Sequence, residues 1–330
     1  MSNRKYDVYG IGNALVDYEI EVTDNFLEEH GIEKGMMTLV EADQQGTLLE
    51  AVQGKIKKKQ SGGSAANSMI ALAQLGGKGY YTCKVANDED GRLYKSEMSE
   101  LGVDTNLDGL PDGTTGKCLV MVTPDSQRTM NTHLGITADL SEGQLNEDAI
   151  AHAEYMYIEG YLVSSPTGIE AIKKAKELAR KHGTKIAYTF SDPAMVKFFN
   201  DQSHEAVSGG LDMLFANDQE AQLFTGTDND EDAFEALKEV ASQFVMTRSE
   251  KGAWAWDGNK MIEIAPNKIT PVDSTGAGDM FAGAYLYGIT SGLDHQKAGD
   301  LASLLSAKVV AQFGPRLDHQ QTKDLRDSLN

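Results

Sequence analysis

The chain has 330 residues, 40% of them hydrophobic, enough for one large α/β domain or two ordinary ones. Acidic residues outnumber basic ones 50 to 30, and the formal charge of −20 repels phosphate backbones and argues against a nucleic-acid partner. There is no apolar run of membrane-spanning length and no apolar leader before the first strand-like segment, and two cysteines, Cys83 and Cys118, are too few for a disulfide framework or a four-ligand zinc site; a reducing cytoplasm fits best.

Tyr6 to Gly10 reads as a first strand, and Gly10-Ile11-Gly12-Asn13-Ala14-Leu15-Val16-Asp17 continues from it. A dinucleotide-binding fingerprint needs a third glycine where this chain has Leu15, so that reading fails on geometry. What remains is a tight turn followed by polar Asn13 and Asp17. A carboxylate such as Asp17 accepts from two adjacent hydroxyls at once, which is how a protein holds a vicinal diol. Residues 18–40 and 105–137 then carry short alternating runs, as in Tyr18–Val22 and Cys118–Val122, without long helices between them. They read as antiparallel strands of one small sheet over the mouth of the main domain. Lys55-Ile56-Lys57-Lys58-Lys59 reads as a solvated face. Ser61 to Ser68 opens an apolar helix through Met69, Ile70, Leu72, Ala73 and Leu75 that closes at Gly76-Gly77. Gly62 and Gly63 at its start either cap the helix or let the backbone approach a ligand.

From about residue 155 onward strand and helix alternate. Tyr155–Ile158 is a strand, 168–182 a helix stopped by Gly183, and Lys185–Phe190, Met213–Ala216 and Phe244–Thr247 are further strands, with a helix from Gln219. This alternation predicts a mainly parallel sheet covered by helices. Asn217 reads as the N-cap of that helix with Glu220 at its third position, and Asp228–Asp232 as a loop and acidic helix start.

The most informative segment is Asp273-Ser274-Thr275-Gly276-Ala277-Gly278-Asp279, a glycine-rich turn running into a helix pattern. The N–H groups of residues 276–279 are expected to lack intrahelical partners and to form an anion site at the helix N-terminus. A carboxylate in that space makes sense where it orients an alcohol while the turn stabilises a phosphoryl group in transit. Asp279, at a helix N-terminus, is expected to be acidic and to orient the nucleophile more than to take its proton. No Walker loop and no protein-kinase His-Arg-Asp or Asp-Phe-Gly segment is present.

These segments together resemble the ribokinase and adenosine kinase (PfkB) family over essentially the whole chain. Asp273–Asp279 is similar to its signature Asp-Thr-x-Gly-Ala-Gly-Asp, with Ser274 in place of threonine, and Gly62-Gly63-Ser64-Ala65-Ala66-Asn67 to its Gly-Gly-x-x-x-Asn. Gly12-Asn13 with Asp17 looks like the nucleoside-kinase form of its N-terminal motif, Asn217–Glu220 matches Asn-x-x-Glu, and Thr247–Gly252 resembles its nucleotide-side turn, with Ser249 where a glycine is usual.

The resemblance implies a single kinase domain, a three-layer α/β/α fold with a mainly parallel sheet and a small β-sheet lid made from 18–40 and 105–137. It implies Asp279 as catalytic base with Gly276, Ala277 and Gly278 as anion hole, and acceptor contacts from Asn13, Asp17, Gly62, Gly63 and Asn67, with Arg128 on the lid clamping the transferred phosphoryl. It further implies nucleotide contacts from Asn217, Thr247, Ser249, Gly252, Gly276 and Gly278, and Mg²⁺ arranged indirectly by Glu220 around ATP. A monovalent cation near Asp273 is compatible with it, as are a monomer and a homodimer. The nucleoside branch, with the 5′-hydroxyl of adenosine or another purine nucleoside as acceptor, is the closer likeness, and it suggests Leu15, Met36 and Leu134 as walls of a base slot. A free-sugar kinase is the alternative within the class, and a non-catalytic ligand sensor the alternative outside it.

Overall fold

The computed structural model describes residues 4–125 and 127–327. The strands, in chain order, are β1 (Tyr6–Ile11), β2 (Leu15–Glu21), β3 (Met37–Leu39), β4 (Ile56–Gly62), β5 (Gly79–Thr82), β6 (Val103–Thr105), β7 (Gly116–Val122), β8 (Arg128–His133), β9 (Ala153–Glu159), β10 (Lys185–Thr189), β11 (Met213–Asn217), β12 (Phe244–Thr247), β13 (Ala253–Trp256) and β14 (Met261–Ile264). The main sheet has the order β14-β13-β12-β11-β10-β9-β1-β5-β6 and is parallel from β12 to β6, with β13 and β14 added antiparallel at one edge.

Its inner strands are apolar on both faces, as a parallel sheet covered on two sides requires. One face packs on a core containing Met69, Leu72, Met280, Tyr285, Leu301 and Leu305; the other packs on Ile169, Ile172, Val196, Phe224 and Leu237. The three layers expected from the strand–helix alternation are present. Helix Pro166–His182 shows how local signals set its ends: Ser165 caps Gly168 N–H, a proline occupies the first turn, and Gly183 closes it at φ 71.

The smaller sheet, ordered β3-β8-β7-β2-β4, differs from expectation in two ways. First, β4 belongs to it although its sequence lies outside 18–40 and 105–137. The lysine run is therefore a strand: Lys57 pairs with Glu21 at 3.1 Å and Lys59 lies 4.5 Å over the Tyr18 ring. Lysines on an edge strand discourage pairing with another chain, which accounts for a charge run that looked only solvated. Second, the pairing is mixed rather than antiparallel, since β2–β7 and β3–β8 run parallel while β2–β4 and β7–β8 run antiparallel. The two segments also hold more than this sheet: 24–29 is helical, a 3-10 turn begins at Gly135, and Thr105, the last residue of β6, pairs in the main sheet.

Alternation along β2 sends Val16, Tyr18 and Ile20 into a core with Phe26, Leu27 and Leu48. Asp17 and Glu19 take the opposite face, where with Cys118, Val120, Arg128 and Met130 they look toward Thr275 and Pro315.

Candidate active site

The C-terminal ends of the parallel strands form one edge. Register places Ile11, Thr82 and Ile158 level, and then Glu159 with Thr189 and Asn217 with Thr247. Open α/β sheets bind ligands at this edge. Asp279 arrives there from above, in the first turn of helix Ala277–Thr290. The approach depends on Gly283, one turn further along. A β-carbon there would lie 2.3 Å from the Ser68 carbonyl, so only glycine lets this helix close on helix Ser64–Gln74. The close crossing delivers Asp279 to the Gly62–Asn67 segment: its Oδ1 accepts from Ser64 Oγ at 2.6 Å and its Oδ2 from Asn67 Nδ2 at 2.9 Å. Asn67 is 6% exposed, and its Oδ1, buried without a hydrogen-bond partner, is a ready acceptor for a hydroxyl.

The two glycines before Ser64 serve the same meeting point. A β-carbon on Gly62 would lie 2.4 Å from Asp17 Oδ2, and one on Gly63, at φ 109, would lie 2.3 Å from the Asn13 carbonyl. Gly62 and Gly63 therefore make room for Asn13 and Asp17. Beneath them Glu159 accepts from Asn13 N–H at 3.1 Å and Ala65 N–H at 2.8 Å, so one fully buried carboxyl ties both segments to β9.

Burial dominates the electrostatics. It pushes Asp279 up to about 6 against the bonds from Ser64 and Asn67, although the side chain stays partly accessible at the rim. The expectation of an acidic Asp279 is thus corrected: loss of water outweighs the helix N-terminus. Burial likewise raises Asp17 to about 7, opposed by the positive charge of Arg316 and then Arg128. Glu159 and Glu220 are raised to about 8, again chiefly by burial.

At the turn itself Gly276 adopts φ 75, and a β-carbon there would lie 2.2 Å from the Pro315 carbonyl. The expected nest is smaller by one donor, because Ala277 N–H is taken by the Ser274 carbonyl at 3.2 Å. Arg128 reaches this turn from β8, but its Nη2 lies 2.7 Å from Asp273 Oδ2 rather than over Gly276–Gly278. The contact is an ion pair without hydrogen-bond alignment, leaving Nε and Nη2 buried and unsatisfied. Asp273 meanwhile accepts from Thr275 N–H at 3.0 Å and Gly314 N–H at 2.9 Å. A cavity of about 40 Å³ lies behind the pair, lined by Asp17, Gln60, Cys118, Val120, Arg128 and Met130 among others, room for a few waters. Leu15, Met36 and Leu134 do not line it, and Met36 is 50% exposed. A larger cavity, about 550 Å³, lies apart at the ends of β5 and β6 and contains none of these residues.

The sequence profile of the pfkB family carbohydrate kinases matches residues 35–322. The chain belongs to this family. It is a phosphotransferase acting on an alcohol group, in an ATP-dependent kinase family. Among solved structures it is similar to an adenosine kinase from Sinorhizobium meliloti, with 35% identity, a TM-score of 0.90 and coverage of 98% of this chain and 99% of that one. It is equally similar to a probable sugar kinase from Rhizobium etli CFN 42, with 33% identity, a TM-score of 0.90 and coverage of 99% and 100%. An adenosine kinase from Saccharomyces cerevisiae is 26% identical over 92% of this chain and 95% of its own length.

In this PfkB chain the residues expected on the nucleotide side stand along the same edge, with Asn217 level with Thr247. Asn217 Oδ1 accepts from Glu220 N–H at 2.7 Å and Glu220 Oε2 from Asn217 N–H at 2.8 Å, a full capping box. Ser249 adopts φ 50 and Gly252 φ 87, so serine occupies a left-handed position in the turn. Arg248 beside it stacks 3.5 Å above the Trp254 ring and pairs with Asp230 at 2.8 Å. No group of three or more metal-ligating side chains exists among the described residues. A divalent ion that takes most of its ligands from phosphate and water fits that donor set, with Glu220 as the nearby carboxylate.

Three participants were not singled out from the sequence. Ser64 lay in a variable position of a motif; Glu159 had a signal, a charged residue ending an apolar strand; Arg316 had none.

Proposed function

We propose that the chain transfers the γ-phosphoryl group of ATP to the 5′-hydroxyl of a nucleoside, with adenosine or another purine nucleoside as the acceptor. The observation that carries this reading is the direct clamp of Asp279 by Ser64 and Asn67, which sets a carboxylate, a buried free carbonyl oxygen and a glycine turn around one point. Asp17 and Asn13 hold ring hydroxyls, Asn67 Oδ1 accepts from a hydroxyl, and Asp279 orients the nucleophile and, near pH 6 and above, accepts its proton. Gly276 and Gly278 N–H groups receive negative charge on the transferred group.

Asn217, Thr247, Ser249 and Gly252 line the nucleotide end. Magnesium, when bound, neutralises phosphate charge; Glu220 would hold it through water. The smaller sheet acts as a lid that excludes water, and Arg128 leaves Asp273 to meet the phosphoryl group when substrates are present. Likeness to the S. meliloti adenosine kinase and the apolar Val120 and Met130 on the inner face of that sheet favour a base-bearing acceptor. Buried, unpaired Cys83 and Cys118 suit a cytoplasmic protein.

One observation favours a free sugar instead: the acceptor-side cavity of about 40 Å³ asks less opening of the lid for a small ring than for a nucleoside. A coupled ADP-release screen decides between them. Purine nucleosides are expected to give kcat/KM about 100-fold above ribose or fructose, the worth of a few kcal/mol of base contact. Equal or better turnover of a free sugar would overturn the nucleoside reading.

A further inference from the structure

Three consecutive residues, Gly314, Pro315 and Arg316, each touch a different working part. Gly314 N–H donates to Asp273 in the catalytic turn. Pro315 packs on Gly276 so closely that no β-carbon fits between them. Arg316 Nη1 donates to Ser61 Oγ at 3.3 Å on β4, and Pro315 just before it lines the same small cavity as Asp17. Its backbone carbonyl is fixed by Gln312 Nε2 at 3.0 Å. Ser61 is fully buried, and its N–H donates to the Glu97 carboxylate.

We propose that Arg316 is a positioning residue for the acceptor site, a fixed counter-charge that favours the ionised, hydroxyl-accepting form of the Asp17 carboxylate. The inference rests on the reading of Asp17 as an acceptor ligand. The charge balance around that group supports it. Asp17 is faced by Arg316 from the 314–316 turn, Arg128 from β8, Asp279 from the catalytic helix and Glu97 from helix Glu89–Glu100. Tyr94 of that same helix and Cys118 of β7 also face it, both held neutral by burial. Arg128 is already committed to Asp273. Without Arg316, three carboxylates would share a mostly dry space with one engaged arginine, and Asp17 would take up a proton. A protonated carboxyl accepts fewer hydrogen bonds, so acceptor binding weakens while the phosphate turn is untouched.

The test follows the acceptor KM of the full-length enzyme from about pH 5.5 to about pH 9. In the native protein KM should rise as the pH falls through about 7. Arg316→Met should move that limb upward by about one pH unit or more and raise KM at pH 7 about tenfold, with KM recovering in alkali. Its kcat at saturating acceptor and its ATP KM should stay within about threefold of native, and Arg316→Lys should restore the native profile. In an Asp17→Asn background Arg316→Met should add nothing, and that double variant, which removes both charges, also serves if the single variant does not fold. A KM raised equally at every pH, or an unmoved limb, would overturn the role of Arg316 alone. If Asp17→Ala leaves the acceptor KM unchanged, the acceptor site itself has been misplaced.

Discussion

In the function proposed above, the phosphate end and the acceptor end of the active edge are held by different means. At the phosphate end the working atoms belong to the backbone, and their positions depend on residues without a β-carbon. Gly276 sits against Pro315 and Gly252 against the Ile264 carbonyl, at distances where any side chain would force the loops apart. At the acceptor end the working atoms are side chains from the smaller sheet, the β1–β2 loop and two helices: Asp17, Asn13, Asn67 and Asp279, backed by Glu159 and Arg316. Their geometry is kept by hydrogen bonds and by a balance of buried charge. The first kind of site is sensitive to shape and nearly blind to pH; the second is the reverse.

Asp279 belongs to both ends and is where the contrast can be broken most severely. Asp279→Asn keeps the size and a bond to Ser64 or Asn67 but cannot take the proton, so kcat should fall about 100-fold or more. The ATP KM should change little, because the turn N–H groups remain. Near-normal turnover would remove Asp279 from catalysis. Next in size is Asp17→Ala. Hydrogen bonds to a charged acceptor are worth about 1.5–3 kcal/mol each, so the acceptor KM should rise at least about tenfold with the ATP KM unmoved. A rise in the ATP KM instead would exchange the two ends.

The charge balance has a cost that shows without any substrate. Asp17, Glu159 and Glu220 are raised to about 7, 8 and 8 by burial, above the ordinary values of 3.8 and 4.5 that they regain on unfolding. Between those limits the folded chain binds more protons than the unfolded one, so stability is greatest on the acid side and is lost as the pH rises through about 7 to 8. The melting temperature of the ligand-free protein should fall by several degrees from about pH 5.5 to about pH 8.5. Scanning fluorimetry at constant ionic strength checks this, and a flat or rising curve would mean these groups are better solvated than their surroundings suggest.

The same division explains what the sequence revealed. The backbone end was legible because a glycine turn has few alternatives: Asp273–Asp279 and Asn217–Glu220 could be placed on their elements from residue type and spacing. The main sheet was legible because apolar strands and amphipathic helices alternate with capping residues between them. The smaller sheet was only half legible. Its strands alternate clearly, yet β4 carries lysines that imitate a solvated run, and direction of pairing leaves no mark on a strand's own pattern. Charge compensation was not legible. Arg316 meets Ser61 across 255 positions, and whether burial or a helix N-terminus sets the acidity of Asp279 depends on packing that Gly283 makes possible from one turn away.

The smallest expected effect tests the backbone end by removing a side chain instead of adding one. Ser249 adopts φ 50, a left-handed conformation that a residue with a β-carbon tolerates at a cost of about 1 kcal/mol. The turn is held there by Arg248, anchored to Trp254 and Asp230, and by Gly252 N–H donating to the Ser249 carbonyl at 3.2 Å. Ser249→Gly relieves the strain but frees the unfolded chain, an opposing term of about 0.4–1 kcal/mol. The balance should be a small gain, raising the melting temperature by about one degree, while the ATP KM stays within about twofold if backbone alone faces the nucleotide there. A fall of several degrees would show that the serine hydroxyl stabilises the turn, and a large change in ATP KM would show that a side chain, not the backbone, meets the nucleotide at this end.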